Sequence, residues 1–467
     1  MVRPVLYFLL AVLTSAVLLT LASCGGAGPS GSIQLNLNLP TDWENRLDMG
    51  VLSSSVGTPY IGSIRVQVAG AGGNESVEVP YIDRRTLVSG LTPGGGYTIT
   101  VQAVTEGTVI MEKILQGVTL PEEQSLALDV NLIESGGFSY AGSLLYTRLQ
   151  HSAVLYSSGV LVLGGTFATG VMESIGFSGD GFSISAFADS LTYPRTGQKA
   201  FLSSQGEEVL VFLGSPGQDS IYEVIDLVNS SCIANSTGTI RTGYFPAHFG
   251  SNIYLISGFN ESSIWLANTL KLHTTSYNES IITSLGIFTE QTDTECITVQ
   301  DELACLGGKV SGAYTGTIEI FDVGLETPIT QRSLSSPKSN FSVSEIPNNR
   351  ILITGGIGNS GISRDIDILD FNNYQVTTFP NALKQDRVNH TSTLLSDGRV
   401  LLVGGGITPQ ALNSAEIIDP DTGISVELPW LMRVPRYNHT TTKLADGRVL
   451  VVGGNSVETT VEVFNPN

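Results

Sequence analysis

Between residues 33 and 133, apolar and polar side chains alternate in short runs. In "SIQLNLNLP", Ile33, Leu35, Leu37 and Leu39 alternate with Gln34, Asn36 and Asn38, and "SIRVQV", "YTITVQAV" and "SLALDVNL" repeat the pattern. A period of two puts alternate side chains on one face, so each run predicts a half-buried strand. Six or so such strands in about 100 residues predict an antiparallel two-sheet sandwich. From residue 138 the pattern changes to short apolar runs that end in glycine, namely "VLVLGG", "VLVFLG", "IYLISG", "LACLGG", "ILITGG" and two later copies. The two clearest are "RVNHTSTLLSDGRVLLVGG" from Arg387 and "RYNHTTTKLADGRVLVVGG" from Arg436.

The last glycine of each copy is Gly165, Gly214, Gly258, Gly308, Gly356, Gly405 and Gly454, at intervals of 49, 44, 50, 48, 49 and 49. A period of ~50 with a terminal glycine pair, followed by "AEIIDP" or "IEIFD", resembles kelch repeats over residues 138–467. WD40 repeats run at ~40–45 with Gly-His and Trp-Asp signatures that are missing here, as are sialidase-type Asp boxes. Each repeat reads as four strands, A to D: around "HTSTLL", "RVLLVGG", "AEIIDP" and "ISVELP" in repeat 6. Seven repeats imply a seven-bladed propeller. The chain ends at "VEVFNPN", a C strand, so repeat 7 lacks its own D strand. Phe138 to Leu145 falls in the D position ahead of repeat 1 and is expected to fill that place.

"LTPGGGYTITVQAV" resembles the tyrosine corner of fibronectin type III domains through Leu91, Pro93, Gly94 and Tyr97. That likeness implies that the Tyr97 hydroxyl ties back to nearby backbone. The early core tryptophan of that family has no counterpart, because Trp43 lies in the polar stretch "PTDWENRLDMG". The expected fold is therefore all-β: a small Ig-like or fibronectin-like sandwich, residues 33–134, before a seven-bladed kelch-type propeller, residues 138–467.

The N-terminus is different. Arg3 precedes an apolar run from Val5 to Leu21, then "LASC" and a Gly-rich tether. This layout reads as a secretory leader, residues 1–23. Leu21-Ala22-Ser23-Cys24 resembles a bacterial lipobox, which implies lipidation of Cys24 ahead of a tether, residues 24–32, and a membrane partner through that anchor. Gly25 is not the Asp that commonly retains lipoproteins at the inner membrane, so the outer membrane or cell surface is expected. Net charge is −20, or −21 once Arg3 is removed with the leader. Such an acidic chain argues against nucleic-acid partners. Asn-x-Ser/Thr triplets, such as those at Asn389 and Asn438, are read as turn residues.

Candidate chemistry is sparse. The A strand starts with a base in six repeats, at Arg148, Arg195, Arg241, Lys338, Arg387 and Arg436, and with Glu290 in repeat 4. An acid stands near the start of strand C at Glu173, Glu223, Glu319, Asp367, Glu416 and Glu462, with none in repeat 3. One reading is an anion-binding ring near the propeller rim. The other is a structural ring of base–acid pairs, expected because a buried base needs a partner. His151, His390 and His439 share one repeat position and open a metal reading, though no carboxylate has ligand spacing. Kelch oxidases such as galactose oxidase use copper with a Cys-linked Tyr and two His. Cys232 has no such partners in repeat-matched positions, so no cofactor and no catalytic set are expected. A binding, adhesion or scaffold module with a protein or glycan ligand on its rim is favoured, with a kelch-type secreted enzyme as the alternative.

Cys296 and Cys305 remain. If the Asp397-Gly398 turn of repeat 6 is a two-residue loop, Thr393 faces Leu402. A shift of 97 residues then sets Cys296 opposite Cys305. Zinc would need two more ligands and a redox pair a closer spacing, which leaves a cross-strand disulfide or two reduced core thiols.

Overall fold

The computed structural model describes residues 31–466 except 39–62, 71–72, 81–84, 106–107, 121–124, 132, 135–136, 167–169, 179–180, 215–219, 239–240, 242, 263, 267, 284–290, 325 and 408–409. The leader, Cys24, Trp43 and Glu290 lie outside the described residues. The elements described are all β-strands, joined by turns.

Two sheets make the N-terminal unit. One orders Arg85–Leu91, Gly31–Asn38 and Ser125–Asn131; the other orders Gly73–Pro80, Ser63–Gly70, Gly94–Thr105, Thr108–Leu120 and Ile133–Glu134. Alternate residues from both, among them Ile33, Leu35, Ile64, Val66, Ile99 and Val101, meet in one core. Tyr97 is buried, and its hydroxyl donates to the Thr92 carbonyl at 2.8 Å. One pairing corrects the antiparallel expectation: Gly31–Asn38 runs parallel to Ser125–Asn131. Alternation fixes which face each residue takes but is the same for either strand direction, so the pattern could not reveal this. The core also receives Trp430 from the segment between the sixth and seventh four-stranded sheets described next.

Seven four-stranded antiparallel sheets follow, which suits a propeller-like fold. In A to D order they are Ser152–Tyr156, Gly159–Leu163, Val171–Ser178, Gly181–Ser190 (sheet 1); Lys199–Leu202, Glu208–Phe212, Ile221–Asp226, Ser231–Ser236 (sheet 2); and Phe245–Phe249, Asn252–Ile256, Thr269–His273, Glu279–Ile282 (sheet 3). Sheet 4 is Glu295–Val299, Glu302–Leu306, Thr317–Asp322, Thr327–Ser333, and sheet 5 is Ser342–Ile346, Arg350–Thr354, Ile366–Asp370, Gln375–Phe379. Sheet 6 is Thr391–Leu394, Val400–Val403, Ala415–Asp419, Ile424–Glu427. Sheet 7 is Thr440–Lys443, Val449–Val452, Thr460–Asn465 and, from the front of the chain, Gly137–Ser143. That last strand pairs antiparallel with Thr460–Asn465, and the Phe138 and Phe464 rings pack 5.2 Å apart.

The B strands read as unbroken apolar runs because each sheet is covered on both faces. One cluster joins Leu306, Ile318 and Ile320 of sheet 4 to Ile351, Ile353 and Leu369 of sheet 5. Another joins Val160, Val162 and Ile175 of sheet 1 to Leu450, Val452, Val461 and Val463 of sheet 7.

Cys296 and Cys305 form a disulfide. They stand directly opposite on strands A and B of sheet 4 with Cα atoms 4.2 Å apart, close to the ~4.5 Å of a non-hydrogen-bonded pair. The route to this pairing needs correction. In sheet 6, Thr393 faces Leu401 and Leu402 faces Ser392, because the Leu395 amide bonds the Arg399 carbonyl and leaves three residues, Ser396 to Gly398, in the loop. Sheet 4 uses two, Gln300 and Asp301, between the Val299↔Glu302 pair. The shorter loop moves its A strand by one position, which restores the Cys296–Cys305 register.

Candidate functional site

The bases and acids singled out in the sequence meet within single sheets. Salt bridges join Arg148–Glu173 at 2.7 Å, Arg195–Glu223 at 2.8 Å, Lys338–Asp367 at 2.9 Å, Arg387–Glu416 at 2.8 Å and Arg436–Glu462 at 2.9 Å. Their side chains are 0–2% exposed, which removes them from any ligand on the rim. The guanidinium groups also donate to main-chain carbonyls at the end of strand B and the start of strand C, as Arg387 does to Gly404 and Ser414. The carboxylates accept amides from the D-to-A segment: Glu416 from Lys384 and Gln385, and Glu223 from Thr192 and Tyr193. Burial opposes ionisation of Glu416, but the Arg387 charge and the Lys384 amide outweigh it and hold its carboxyl below the usual range. Each arginine–glutamate pair therefore ties the D-to-A segment to the B-to-C connection of its sheet.

Two members of the expected six-and-six set have no ionic partner among the described residues. Arg241 donates to the Ser257 and Asn268 carbonyls and to Asn268 Oδ1, while its Nε has no partner. Glu319 accepts from Gln331 Nε2 at 3.2 Å, and its Oε2 is buried without a partner. Burial, only partly offset by the Gln331 bond, pushes the Glu319 carboxyl up to about 7.

The glycine pairs lock neighbouring sheets. The amide of the second glycine donates to the carbonyl of the next sheet's base: Gly165 to Arg195, Gly308 to Lys338, Gly356 to Arg387, Gly405 to Arg436, and Gly454 to Arg148, at 2.7–3.0 Å. The first glycine is pinched there. A Cβ on Gly453, at φ +63, would lie 2.5 Å from His151 Cε1 and 2.8 Å from the Arg148 carbonyl. The three histidines fill this joint. His151 Nε2 meets Thr440 Oγ1, His439 Nε2 meets Thr391 Oγ1 and His390 Nε2 meets Thr354 Oγ1, each at 2.9 Å and across a sheet boundary. Each Nδ1 is buried without a partner. Burial, then the neighbouring bases, pushes His151 and His390 down to about 3 and His439 well below its ordinary value. They are neutral packing groups, and no group of three or more His, Cys, Asp or Glu converges as a metal would need among the described residues. Cys232 Sγ lies 3.4 Å from Glu223 Oε2, and burial beside that carboxylate pushes its thiol up to about 12.

What the sequence reading missed is the residue just before the repeat position that His151, His390 and His439 share. Gln150, Asp293, Asn340, Asn389 and Asn438 all have φ between +51 and +56, and Gly197 and Gly243 hold the same place at +72 and +61. Side-chain amides and carboxylates tolerate this left-handed conformation better than most. The amides of Asn389, Asn438, Gln150 and Gly197 donate in turn to the carbonyls of Asn340, Asn389, Asn438 and Gln150, forming one chain of hydrogen bonds across sheets 5, 6, 7, 1 and 2.

These residues and the first positions of the A strands enclose a cavity of about 560 Å³, within the usual ligand-site range of ~300–1,000 Å³. Its wall is polar: Gln150, Ser152, Thr294, Asn340, Ser342, Asn389 and Asn438 line it with Lys199, Asp293 and Glu295. Lys199 Nζ holds both Glu295 oxygens at 2.8 and 3.1 Å, joining sheets 2 and 4, and Asp293 pairs with Lys309 at 2.8 Å.

No family model matches this sequence, and no curated protein sequence matches it. The chain is similar to the solved structure of YjhT, with a TM-score of 0.48 and 13% identity, over 62% of this chain and 99% of that one.

Proposed function

We propose that the chain is an extracytoplasmic binding module. In this reading Cys24 carries a lipid anchor, an Ig-like or fibronectin-like sandwich follows, and a seven-bladed kelch-type propeller presents the ligand site. The sheet-7-to-sheet-1 contacts support a closed ring: the Gly454–Arg148 bond, the Gln150–Asn438 bond and the His151–Thr440 pair. The observation that carries the function is the polar cavity at the convergence of the A strands. It offers many hydrogen-bonding groups, while the five buried base–acid pairs are consumed internally.

The test has two arms. Replacing Cys24 by serine should release the protein from membranes or leave an unprocessed precursor; normal processing and retention would sink the anchor. For binding, protein lacking residues 1–23 should capture members of a mixed array of glycans, peptides and secreted proteins. No capture above a denatured control would overturn the binding-module reading.

A further inference from the structure

We infer that the cavity takes the end of an uncharged saccharide, read by an arc of side-chain amides from four successive repeats; this deepens the binding-module reading and rests on it. The arc consists of Asn340, Asn389, Asn438 and Gln150, fixed at one height by their chain of backbone hydrogen bonds. Their backbone groups, apart from the Asn340 N–H, are used in that chain, so the side-chain amides are the main groups that remain for a ligand. Asn340 Nδ2 donates to Asn389 Oδ1 at 3.0 Å, and Asn340 Oδ1 accepts from Ser339. That leaves the Asn389 donor and both ends of the Asn438 and Gln150 amides open to the cavity. Each carboxamide presents a donor and an acceptor side by side, which matches a hydroxyl that must donate and accept at once.

Charge decides the class. Lys199 is held by Glu295, and Asp293 by Lys309, so every ionised group lining the cavity among the described residues already has its counter-charge. The three histidines are held neutral by burial. An anionic or cationic ligand would lose the large hydration of its charge and break one of these pairs for its partner; a neutral hydroxylated one gives up less hydration and breaks no pair. A peptide would also offer donors and acceptors, but its side chains need apolar pockets. Here the apolar lining is limited to Ala153, Ala200, Phe341 and Val343.

The test uses protein lacking residues 1–23 and a panel of hexose- and N-acetylhexosamine-terminated neutral oligosaccharides, beside sialylated, uronic and sulfated ones and a peptide library. The double variant Asn389→Gly/Asn438→Gly removes two amides without straining the backbone, since Gly197 and Gly243 already hold this position in sheets 2 and 3. Asn381→Gly is the control: Asn381 is exposed, also has φ +51 and does not line the cavity. Expected is capture of neutral oligosaccharides only, weakened at least about tenfold in the double variant at unchanged melting temperature, and unaltered in the control. Preference for anionic glycans or peptides would overturn the saccharide inference and leave the binding-module reading standing. Neutral-sugar capture that the double variant retains would move the site elsewhere and overturn it too. Capture of nothing would overturn both.

Discussion

Changing Glu319 to glutamine tests the reading of sheet 4 most directly. Five of its counterparts face a base within 2.9 Å, whereas Glu319 has only the Gln331 amide. Its carboxyl titrates near 7 in the folded protein against 4.5 for a free glutamate. Between those values the folded state holds a proton that the unfolded chain has released, so stability falls as pH rises through this window. At ~1.4 kcal/mol per pH unit the full penalty is about 3 kcal/mol, nearly complete by pH 8 and small near pH 5. Glutamine keeps the acceptor for Gln331 and never ionises. It buries an extra N–H without a partner, a cost of about 1–3 kcal/mol that does not depend on pH and so drops out of the comparison. Unfolding free energies of wild type and Glu319→Gln from urea titrations between pH 5 and pH 8 should diverge in favour of the variant by about 2–3 kcal/mol. Parallel curves would refute the argument and require a cation beside Glu319.

Three further outcomes are expected. Mass mapping without reduction should find Cys296 crosslinked to Cys305 and Cys232 free, and replacing both bonded cysteines by serine should cost about 2–3 kcal/mol; alkylation of both in unreduced, denatured protein would exclude the bond. Phe138→Ala should destabilise the large unit by about 3–5 kcal/mol in denaturant titration, because its ring lies against Phe464; a cost below about 1 kcal/mol would show that the front strand is dispensable. Trp430→Ala should speed limited proteolysis between the two units, and an unchanged rate would show that Trp430 does not hold the N-terminal core in place.

Much of the fold was legible because it is written in periodicities. Alternation marked the N-terminal strands, and the ~50-residue glycine repeat marked seven sheets and the strand missing from the last. Strand direction left no trace, so the parallel pair at Gly31–Asn38 was unreadable. Loop length was nearly so: Gln300-Asp301 and Ser396-Asp397-Gly398 look alike until the ladder is counted. The base–acid pairs were foreseeable from the cost of burying a charge, including the gap in repeat 3 where Leu270 lies two residues after Asn268, in the acid's place. The amide arc was visible in "RVNH" and "RYNH" but read as turn composition. Its signal was a residue type tolerant of positive φ recurring at one repeat position. Trp430 could not be assigned from sequence, because it serves a core remote from it in the chain.

Sheet 7 joins the two ends of the large unit, with Ser143 opposite Thr460 across 317 residues of chain. At ~5–20 residues per second, about 15–60 s of synthesis separate a strand from the partner it needs. Throughout that interval Gly137–Ser143 presents an unpaired edge, a template for any other strand nearby. No order of local folding can shorten the wait, since Thr460–Asn465 is made only after every strand of sheets 1 to 6. A chain that stops before Thr460 would leave that edge permanently bare, so a late strand alone decides whether an early one is ever covered.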